Sequence, residues 1–535
     1  MSGIYAIDFG TSNTVVSRWN AGTQSADVLS FPNLSYQLGN GVSVVPSILY
    51  VEDVIHSSVV VGQAVRDRGL DIATDPRFFR NIKRGIGTQS VGILPTLDDQ
   101  SVSFEQLGQW FLQSVIQSVQ TLDSAIESLT LTVPVNSFEQ YRNWLTTMMT
   151  SADIPQIRLL DEPTAAALAY NIPNSNTILV VDCGGGTLDV SLVQLSSSKR
   201  ASGTQPLGYF LKFGGKSFAQ SSAQKIDTAK VLAKTGQTLG GADIDQWLIE
   251  RFAETNGVPI SPLTLRLVEK LKITLSSQPT ATEAFFNDET LETYELSMNR
   301  EQFDELLTTK GFFEQLDLAM TQVLRQGRQQ GIDRDDIDAV LLVGGTAQIP
   351  SMRDWASTYF PSDKIRADNP FGAVAQGALA LNQDIELSDF LYHGYGIRYW
   401  NRREKRHDWH PIILEGQAYP METPVELVLG ASVDNQPSIE LIVGELGSAQ
   451  TLTEVYFDGD RLITRTRSDQ STQVQPLNDK DGARNLATLN PPGSPGSDRI
   501  KLLFKVDRDR FLRVTVEDLL TNERLLDNRV VVQLS

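Results

Sequence analysis

The sequence predicts an α/β domain over residues 1–383, a short linker over 384–389 and a β-sandwich over 390–535. Three observations carry this. Up to about residue 380, short β-rich runs alternate with helical apolar spacing, as in α/β domains. Beyond Asp384-Ile385-Glu386-Leu387-Ser388 no long helical pattern remains, and short alternating strands separated by Gly, Pro, Asn and Asp turns take over. Finally, one pattern occurs twice: Tyr5–Ser17 and Ile178–Val190 are each an apolar strand ending in Asp, a Gly/Thr/Ser turn and a second apolar run.

Taken in order, the repeated pattern predicts two strand–turn–strand hairpins. Such a turn points backbone N–H groups and hydroxyls at one spot and forms a nest for phosphate oxygens. Each hairpin brings one acid, Asp8 or Asp182, suited to holding Mg²⁺ through its water shell. Taken singly, either could be an ordinary tight hairpin; the pair suggests a polyphosphate gripped from both sides. Helical spacing is expected over Phe104–Leu122, Thr264–Leu275 and Met298–Gln330, the last broken near Lys310-Gly311. Ile126–Pro134, Ile178–Val181 and Ala339–Val343 read as buried strands, and 195–228 as an extended, mobile hairpin tip. The sandwich strands are expected at Val425–Leu429, Ser438–Gly444, Glu454–Phe457, Ile500–Val506, Phe511–Glu517 and Asn528–Leu534, with Ser468–Arg484 a flexible loop or irregular edge.

Composition narrows the function classes. Of 535 residues, 41% are apolar and 21% charged, which describes a soluble globular chain. The net charge of −19 argues against non-specific nucleic-acid binding, which needs a basic surface. No apolar stretch reaches membrane-spanning length. The N-terminus lacks a basic region followed by a long apolar run, and the single Cys183 excludes a disulfide framework; a cytoplasmic protein is expected. The four histidines make no metal-ligand spacing. A Gly-x-x-x-x-Gly-Lys-Ser/Thr loop is absent, so this is not a P-loop protein.

Three further segments complete an actin-like nucleotide site. Leu159–Ala167 places Glu162 at a Pro/Ala-rich helix start. Ala339–Pro350 is a buried strand delivering Gly344 and Gly345, where glycine lets the backbone pass close to a flat ring such as adenine. Asn369–Ala380 supplies a helix rich in small residues. The five pieces stand in the order shared by actin, sugar kinases and heat-shock chaperones. Within that set the chain resembles the 70-kDa heat-shock (DnaK-type) chaperones, over nearly everything from residue 3 to 535. Lys83, in Asn81–Gly87, sits where the family places its catalytic lysine, and Thr132-Val133-Pro134-Val135 followed by Arg142 resembles its proline-and-arginine relay. Leu239-Gly240-Gly241-Ala242-Asp243-Ile244-Asp245 matches its Leu-Gly-Gly-x-Asp-Phe-Asp, and Glu269, Lys272 and Ser276 keep the spacing of its adenosine-contacting helix. More weakly, Asp389–Arg398, Asn490–Asp507 and Phe511–Asp518 resemble strands of its peptide-binding sandwich.

The resemblance implies an actin-like ATPase domain with two ribonuclease-H-like lobes, joined to a sandwich that holds extended apolar peptide. It implies ATP/ADP and Mg²⁺ as cofactors, with K⁺ as a second candidate ion, and slow hydrolysis used as a timer. Catalysis would fall to Lys83, Thr187, Glu162, Asp182 and Asp8. The nucleotide would be held by Gly10, Thr11, Ser12, Asn13, Gly184, Gly185, Gly186, Thr187, Gly240, Gly241, Glu269, Lys272, Ser276, Gly344, Gly345 and Gln348, and the metal by Asp8, Asp182 and Glu162 through water. Unfolded apolar segments, J-domain cochaperones and nucleotide-exchange cochaperones are the implied partners, with no nucleic acid and no membrane. The peptide groove is placed near Tyr395–Tyr399 and Val428–Val433, residues that could equally be sandwich core.

Several residues depart from the family. A helical lid should follow the sandwich, and the sequence ends at Ser535, so a member lacking the lid is expected. Glu386 and Ser388 interrupt the usually apolar linker, which raises the desolvation cost of docking it. Gln348 stands for an arginine on the adenine face, and Phe371-Gly372 for an Asp-Glu pair beside the pocket. Cys183 is either a small buried side chain or a thiol whose oxidation would block the phosphate site. Two other functions fit less of the sequence: a nucleotide-gated adaptor that binds one defined protein with vestigial hydrolysis, and a small-molecule kinase of the same fold.

Overall fold

The computed structural model of the chain describes residues 3–39, 41–87, 96–123, 126–134, 138–149, 154–170, 177–198, 209–210, 226–287, 291–380, 385–387, 391, 394–401, 406–414, 417, 419–421, 423–431, 433–446, 451–458, 461–468, 474–478, 484–495, 498–507 and 510–534. These divide into two compact units, Met1–Leu387 with Thr453–Thr466, and Ser388–Leu452 with Arg467–Ser535.

The first unit is built on two mixed sheets, each started by one of the expected hairpins. In the first sheet Gly3–Phe9 pairs antiparallel with Asn13–Asn20 and parallel with Ile126–Val133, which pairs parallel with Gln156–Asp161. In the second, Thr177–Cys183 pairs antiparallel with Leu188–Ser198 and parallel with Ala339–Val343, which pairs parallel with Ile365–Arg366. The same pairing scheme therefore occurs twice. The central strands are apolar on both faces: Ile178, Leu179, Val180 and Val181 are all fully buried, the signature of strands covered on two sides. The hairpins place Asp8 opposite Val15 and Asp182 opposite Asp189, each near a strand end.

Local signals set the helices. Phe104–Leu122 starts at Ser103, whose Oγ accepts from the Gln106 N–H. It buries Phe104, Leu107, Phe111, Leu112, Val115 and Val119, one helical face. Pro262–Ser277 starts at Ser261 with Pro262 in its first turn. The segment expected to be helical from Met298 onward begins differently: Met298 lies in the strand Glu292–Asn299, and Asn299 caps a helix over Arg300–Thr309. Gly311, at φ +74°, then separates it from Phe312–Gln329. Helix Ala373–Gly377 packs on helix Glu162–Tyr170; a Cβ at Gly377 would lie 2.8 Å from the Ala169 nitrogen, so the small residues permit backbone contact.

The strands Leu188–Ser198 and Ile226–Gln237 pair as far as Ser198 and Ile226. The tip expected to be mobile lies outside the described residues apart from Tyr209–Phe210, which pairs with Arg158 and Leu159. In the expected linker, Ile385–Leu387 adds parallel to Asp227–Ala229 as an edge strand of the second sheet; Asp384, Ser388 and Asp389 lie outside the described residues.

The second unit is all β among its described residues. One four-stranded sheet runs Arg406–Ile413, Gly394–Asn401, Val443–Leu446 and Val474–Pro476; another runs Val425–Gly430, Asp498–Val506, Phe511–Asp518 and Glu523–Gln533. Both feed a single core containing Tyr395, Ile397, Val443, Ile500, Leu502, Phe504 and Val514, which makes the pair a β-sandwich. Val474–Pro476 is thus an edge strand within the polar stretch expected to be a flexible loop or an irregular edge. Of the residues read as either groove or sandwich core, Tyr395 and Ile397 are core. Tyr399, Trp400, Val428 and Val433 are exposed.

Candidate nucleotide site

The two hairpins meet at their turns. A Cβ at Gly186 would lie 2.6 Å from Thr11 Cγ2, and one at Gly185 would lie 2.7 Å from Ser12 Cβ. Hydroxyl residues of the first turn therefore fit where the second has no side chains. The glycine turn is backed by Gly240 and Gly241: the Gly241 and Ala242 N–H groups donate to the carbonyls of Gly184 (3.0 Å) and Gly185 (2.8 Å). A Cβ at Gly240 would lie 2.7 Å from the Gly186 nitrogen. Thr346 Oγ1 donates to the Gly184 carbonyl at 2.7 Å, bringing the strand end at Ala339–Val343 to the same turn. Gly344, at φ +88°, has the Asp182 carboxylate 2.7 Å from where its Cβ would stand; both the backbone conformation and the space exclude other residues.

Beside the turns lies a charged centre. Lys83, in the short 3-10 helix Ile82–Gly85, donates from Nζ to Glu162 Oε1 at 2.6 Å, with both side chains under a tenth exposed. Thr132 Oγ1 donates to Asp8 Oδ1 at 2.8 Å. Four acids, Asp8, Glu162, Asp182 and Asp189, share this environment with Lys83. Burial and the Glu162 charge push Asp8 up to about 6, against the pull of Lys83 and the Thr132 hydrogen bond. Burial, Glu162, Asp189 and Asp8 drive Asp182 well above the carboxylate range. Asp189 rises to about 7 by burial and Glu162, while its bond to Thr187 opposes the rise. Burial disfavours the Lys83 ammonium, but Glu162 and Asp8 hold it charged. The acids outnumber the lysine, so the centre has an excess of negative charge that a cation would relieve.

The other side of the site is clamped by ion pairs. Arg66 Nη2 lies 3.3 Å from Glu269 Oε2 and its guanidinium stacks over Tyr36 at 5.5 Å. Arg266 meets Asp71 at 3.0 Å, Arg80 lies 3.8 Å from Asp245, and Arg84 pairs with Asp243. Lys272 Nζ bridges Asp245 Oδ1 (2.8 Å) and the Gly241 carbonyl (2.9 Å). Burial would raise Glu269, but Arg66, Arg80, Lys272 and Arg266 hold it below the usual carboxylate range.

Against the sequence expectations, Asp8, Lys83, Glu162 and Asp182 share one electrostatic centre, and Thr11, Ser12, Gly184–Gly186, Gly240, Gly241, Lys272 and Gly344 interlock beside it. Gly10 and Asn13 form the first turn itself, the Asn13 carbonyl filling the space a Gly10 Cβ would take. Gly345 faces the ring of Phe371, 3.0 Å from its would-be Cβ. Ser276 donates to the Lys272 carbonyl within its own helix, and Gln348 is exposed at the end of a 3-10 turn. Pro134 is described, whereas the Arg142 side chain lies outside the described residues. Cys183 is fully buried among Leu179, Val181 and Leu188, and burial pushes its thiol up, as for a core side chain. Sequence reasoning missed Asp189, although it follows Thr187 by two residues, and the partners Arg66, Arg80 and Thr346, which no local pattern marks.

A metal held by Asp8, Asp182 and Glu162 fits these residues in charge. Among the described residues no three His, Cys, Asp or Glu groups converge as direct metal ligands. No described helix is long and apolar enough to cross a membrane.

Comparison with known proteins gives a consistent answer. The model of the family described as "Hsp70 protein" matches residues 81–226 and 209–390, together more than half of the chain. The "Chaperone protein dnaK1" of Synechocystis sp. is 26% identical over 557 aligned residues, covering 97% of this chain and 70% of that protein. The "Chaperone protein DnaK" of Thermosipho melanesiensis is 25% identical over 551, covering 97% and 79%.

Proposed function

The chain belongs to the Hsp70 family, and on that premise we propose that it is an ATP-dependent chaperone that hydrolyses ATP slowly to control its grip on unfolded polypeptide. One observation carries the reading: the Lys83–Glu162 pair stands among Asp8, Asp182 and Asp189 beside the interlocked hairpin turns. The amides and hydroxyls of Gly184–Gly186, Thr11, Ser12 and Thr187 would hold the β- and γ-phosphates. Glu162 and Asp8 keep Lys83 charged, and its ammonium would neutralise charge developing on the γ-phosphate. Asp8, Asp182 and Glu162 would hold Mg²⁺ through water, and bound Mg²⁺ supplies charge neutralisation at the phosphates. Positioning and charge suffice for phosphoryl transfer to water, so no covalent group is needed.

The repeated pairing scheme of the two sheets supports a two-lobed, ribonuclease-H-like ATPase domain ending near residue 383, with 390–535 as the peptide-binding domain. Unfolded apolar segments and J-domain and exchange cochaperones are the partners this reading implies, in the cytoplasm. The adaptor reading draws on Gln348, which is exposed where the family has a base-stacking arginine, and keeps the same nucleotide site with slower turnover.

Single-turnover ATP hydrolysis with saturating Mg²⁺, with and without an unfolded model peptide, separates the two. Peptide-stimulated turnover abolished by Lys83→Ala and by Thr187→Ala is the chaperone outcome. Turnover that ignores peptide favours the adaptor. A folded chain that neither binds nor hydrolyses ATP would sink both.

A further inference from the structure

The lysine at the centre of the charged cluster is held not only by Glu162 but also through its own backbone. Tyr141, on helix Phe138–Met149, is almost fully buried, and its hydroxyl donates to the Lys83 carbonyl at 2.7 Å. The only other bond that carbonyl accepts among those described is a long one, 3.3 Å, from the Ile86 N–H that closes the turn. Burial and the nearby charges of Glu162 and Glu105 push the Tyr141 phenol well above its ordinary range, so it stays a donor across neutral pH. Trp144 stands three residues on, on the same helical face, with its ring edge-on to Tyr141 at 5.6 Å. Its Nε1 donates to the Glu105 carbonyl at 3.0 Å, and the Glu105 carboxylate accepts the Gly87 N–H at 3.0 Å. The turn that carries Lys83 is therefore tied at both ends, by Tyr141 at Lys83 itself and by Glu105 just beyond Ile86.

We propose that Tyr141 is a positioning residue for Lys83: its buried hydroxyl holds the lysine's backbone carbonyl and so fixes where the ammonium stands against Glu162 and the reacting phosphate. The proposal rests on the ATPase reading above, and it assigns a role to a residue in which no sequence motif singled out a function. A tyrosine serving only as packing would need its ring and not its oxygen. Tyr141→Phe separates the two because it keeps the ring and removes the bond.

Two readouts on the full chain test it. With Tyr141→Phe, the single-turnover hydrolysis rate is expected to fall about tenfold with ADP affinity unchanged, the size of effect a sub-ångström displacement of a catalytic group produces. In nucleotide-free protein, the rate at which an amine-acylating reagent labels Lys83 is expected to rise severalfold, while exposed Lys310 labels as before. If either readout stays at the wild-type value, the proposal is overturned. It is also overturned if ADP affinity and thermal stability drop together, since that marks a packing role. If the wild-type chain does not hydrolyse ATP, the functional reading fails, and the labelling alone decides whether Tyr141 positions Lys83.

Discussion

The two ends of the proposed nucleotide site are built on different electrostatic plans. At the phosphate end, Asp8, Glu162, Asp182 and Asp189 face Lys83, and burial raises Asp8, Asp182 and Asp189 above their ordinary values. At the other end, Glu269, Asp245, Asp71 and Asp243 each meet a cation among Arg66, Arg80, Arg84, Arg266 and Lys272; there Glu269 is lowered, although burial still raises Asp245. One end leaves a charge for a bound cation to balance. At the other, every one of those acids already has a cation within ion-pair distance.

The largest test of the contrast removes the phosphate end's cation. Lys83→Met leaves Glu162 buried beside three other acids without its partner. Hydrolysis should fall by about 10²–10³, as when an electrostatic stabiliser is lost, and stability should fall by about 3 kcal/mol, the lower end for breaking a buried pair. A variant that still turns over at the wild-type rate would remove Lys83 from the chemistry.

Next in size is the steric fit between the turns. Gly240→Ala puts a methyl group 2.7 Å from the Gly186 nitrogen, and backbone cannot yield as a flexible side chain does. We expect a loss of about 2–3 kcal/mol, typical of overpacking, together with weaker ATP binding; thermal unfolding and nucleotide titration measure both. Wild-type stability would mean the two loops do not interlock as described.

At the ion-paired end, Arg66→Met removes the partner of Glu269 from a pair whose side chains are about a fifth exposed. The expected stability loss is smaller, about 1 kcal/mol. Because Glu269 is lowered in the fold, its contribution is present above its unfolded value and lost as pH falls through the folded one. Arg66→Met should therefore weaken the acid dependence of unfolding below about pH 4.5. A parallel shift of the whole pH curve would contradict that assignment.

A further effect has the opposite sign and comes from the phosphate end. Asp8 and Asp189 are raised from 3.8 to about 6 and about 7. Raised acids bind protons more tightly when folded, so their contribution is full below pH 3.8 and is lost as pH rises through 6 and 7. Nucleotide-free protein should melt at a lower temperature at pH 8 than at pH 5.5, and Mg²⁺-ATP should flatten the difference. A melting temperature that rises over that interval without ligand would show that these acids are not held as described.

Much of this was legible because it is local. An apolar strand, an Asp and a small-residue turn lie within a dozen residues, so both hairpins and their acids stood out at Asp8 and Asp182. Helix Phe104–Leu122 was delimited by its apolar spacing, and alternation placed sandwich strands at Phe511–Glu517 and Ile500–Val506, one or two residues short of the observed Phe511–Asp518 and Asp498–Val506. The less legible features join distant residues. Arg66 with Glu269, Thr346 with Gly184 and Tyr141 with Lys83 are far apart along the chain, and no spacing rule connects them. Tyr395 shows the same limit: alternation marks one face of its strand but does not say whether that face meets a core or a ligand.

By itself, then, the sequence determined the mixed α/β part and the β-sandwich, the family resemblance, the paired hairpin turns and the residue types at their tips, because strand periodicity and turn chemistry act over a few residues. Only the tertiary structure decided which charges meet. It set Thr11 and Ser12 against the glycines of the second turn, brought Asp189 to Glu162 and Lys83, and bound the Lys83 carbonyl to Tyr141. Those outcomes depend on how two sheets and their covering helices pack, and packing is settled by the sum of contacts over the whole unit rather than by any stretch of chain.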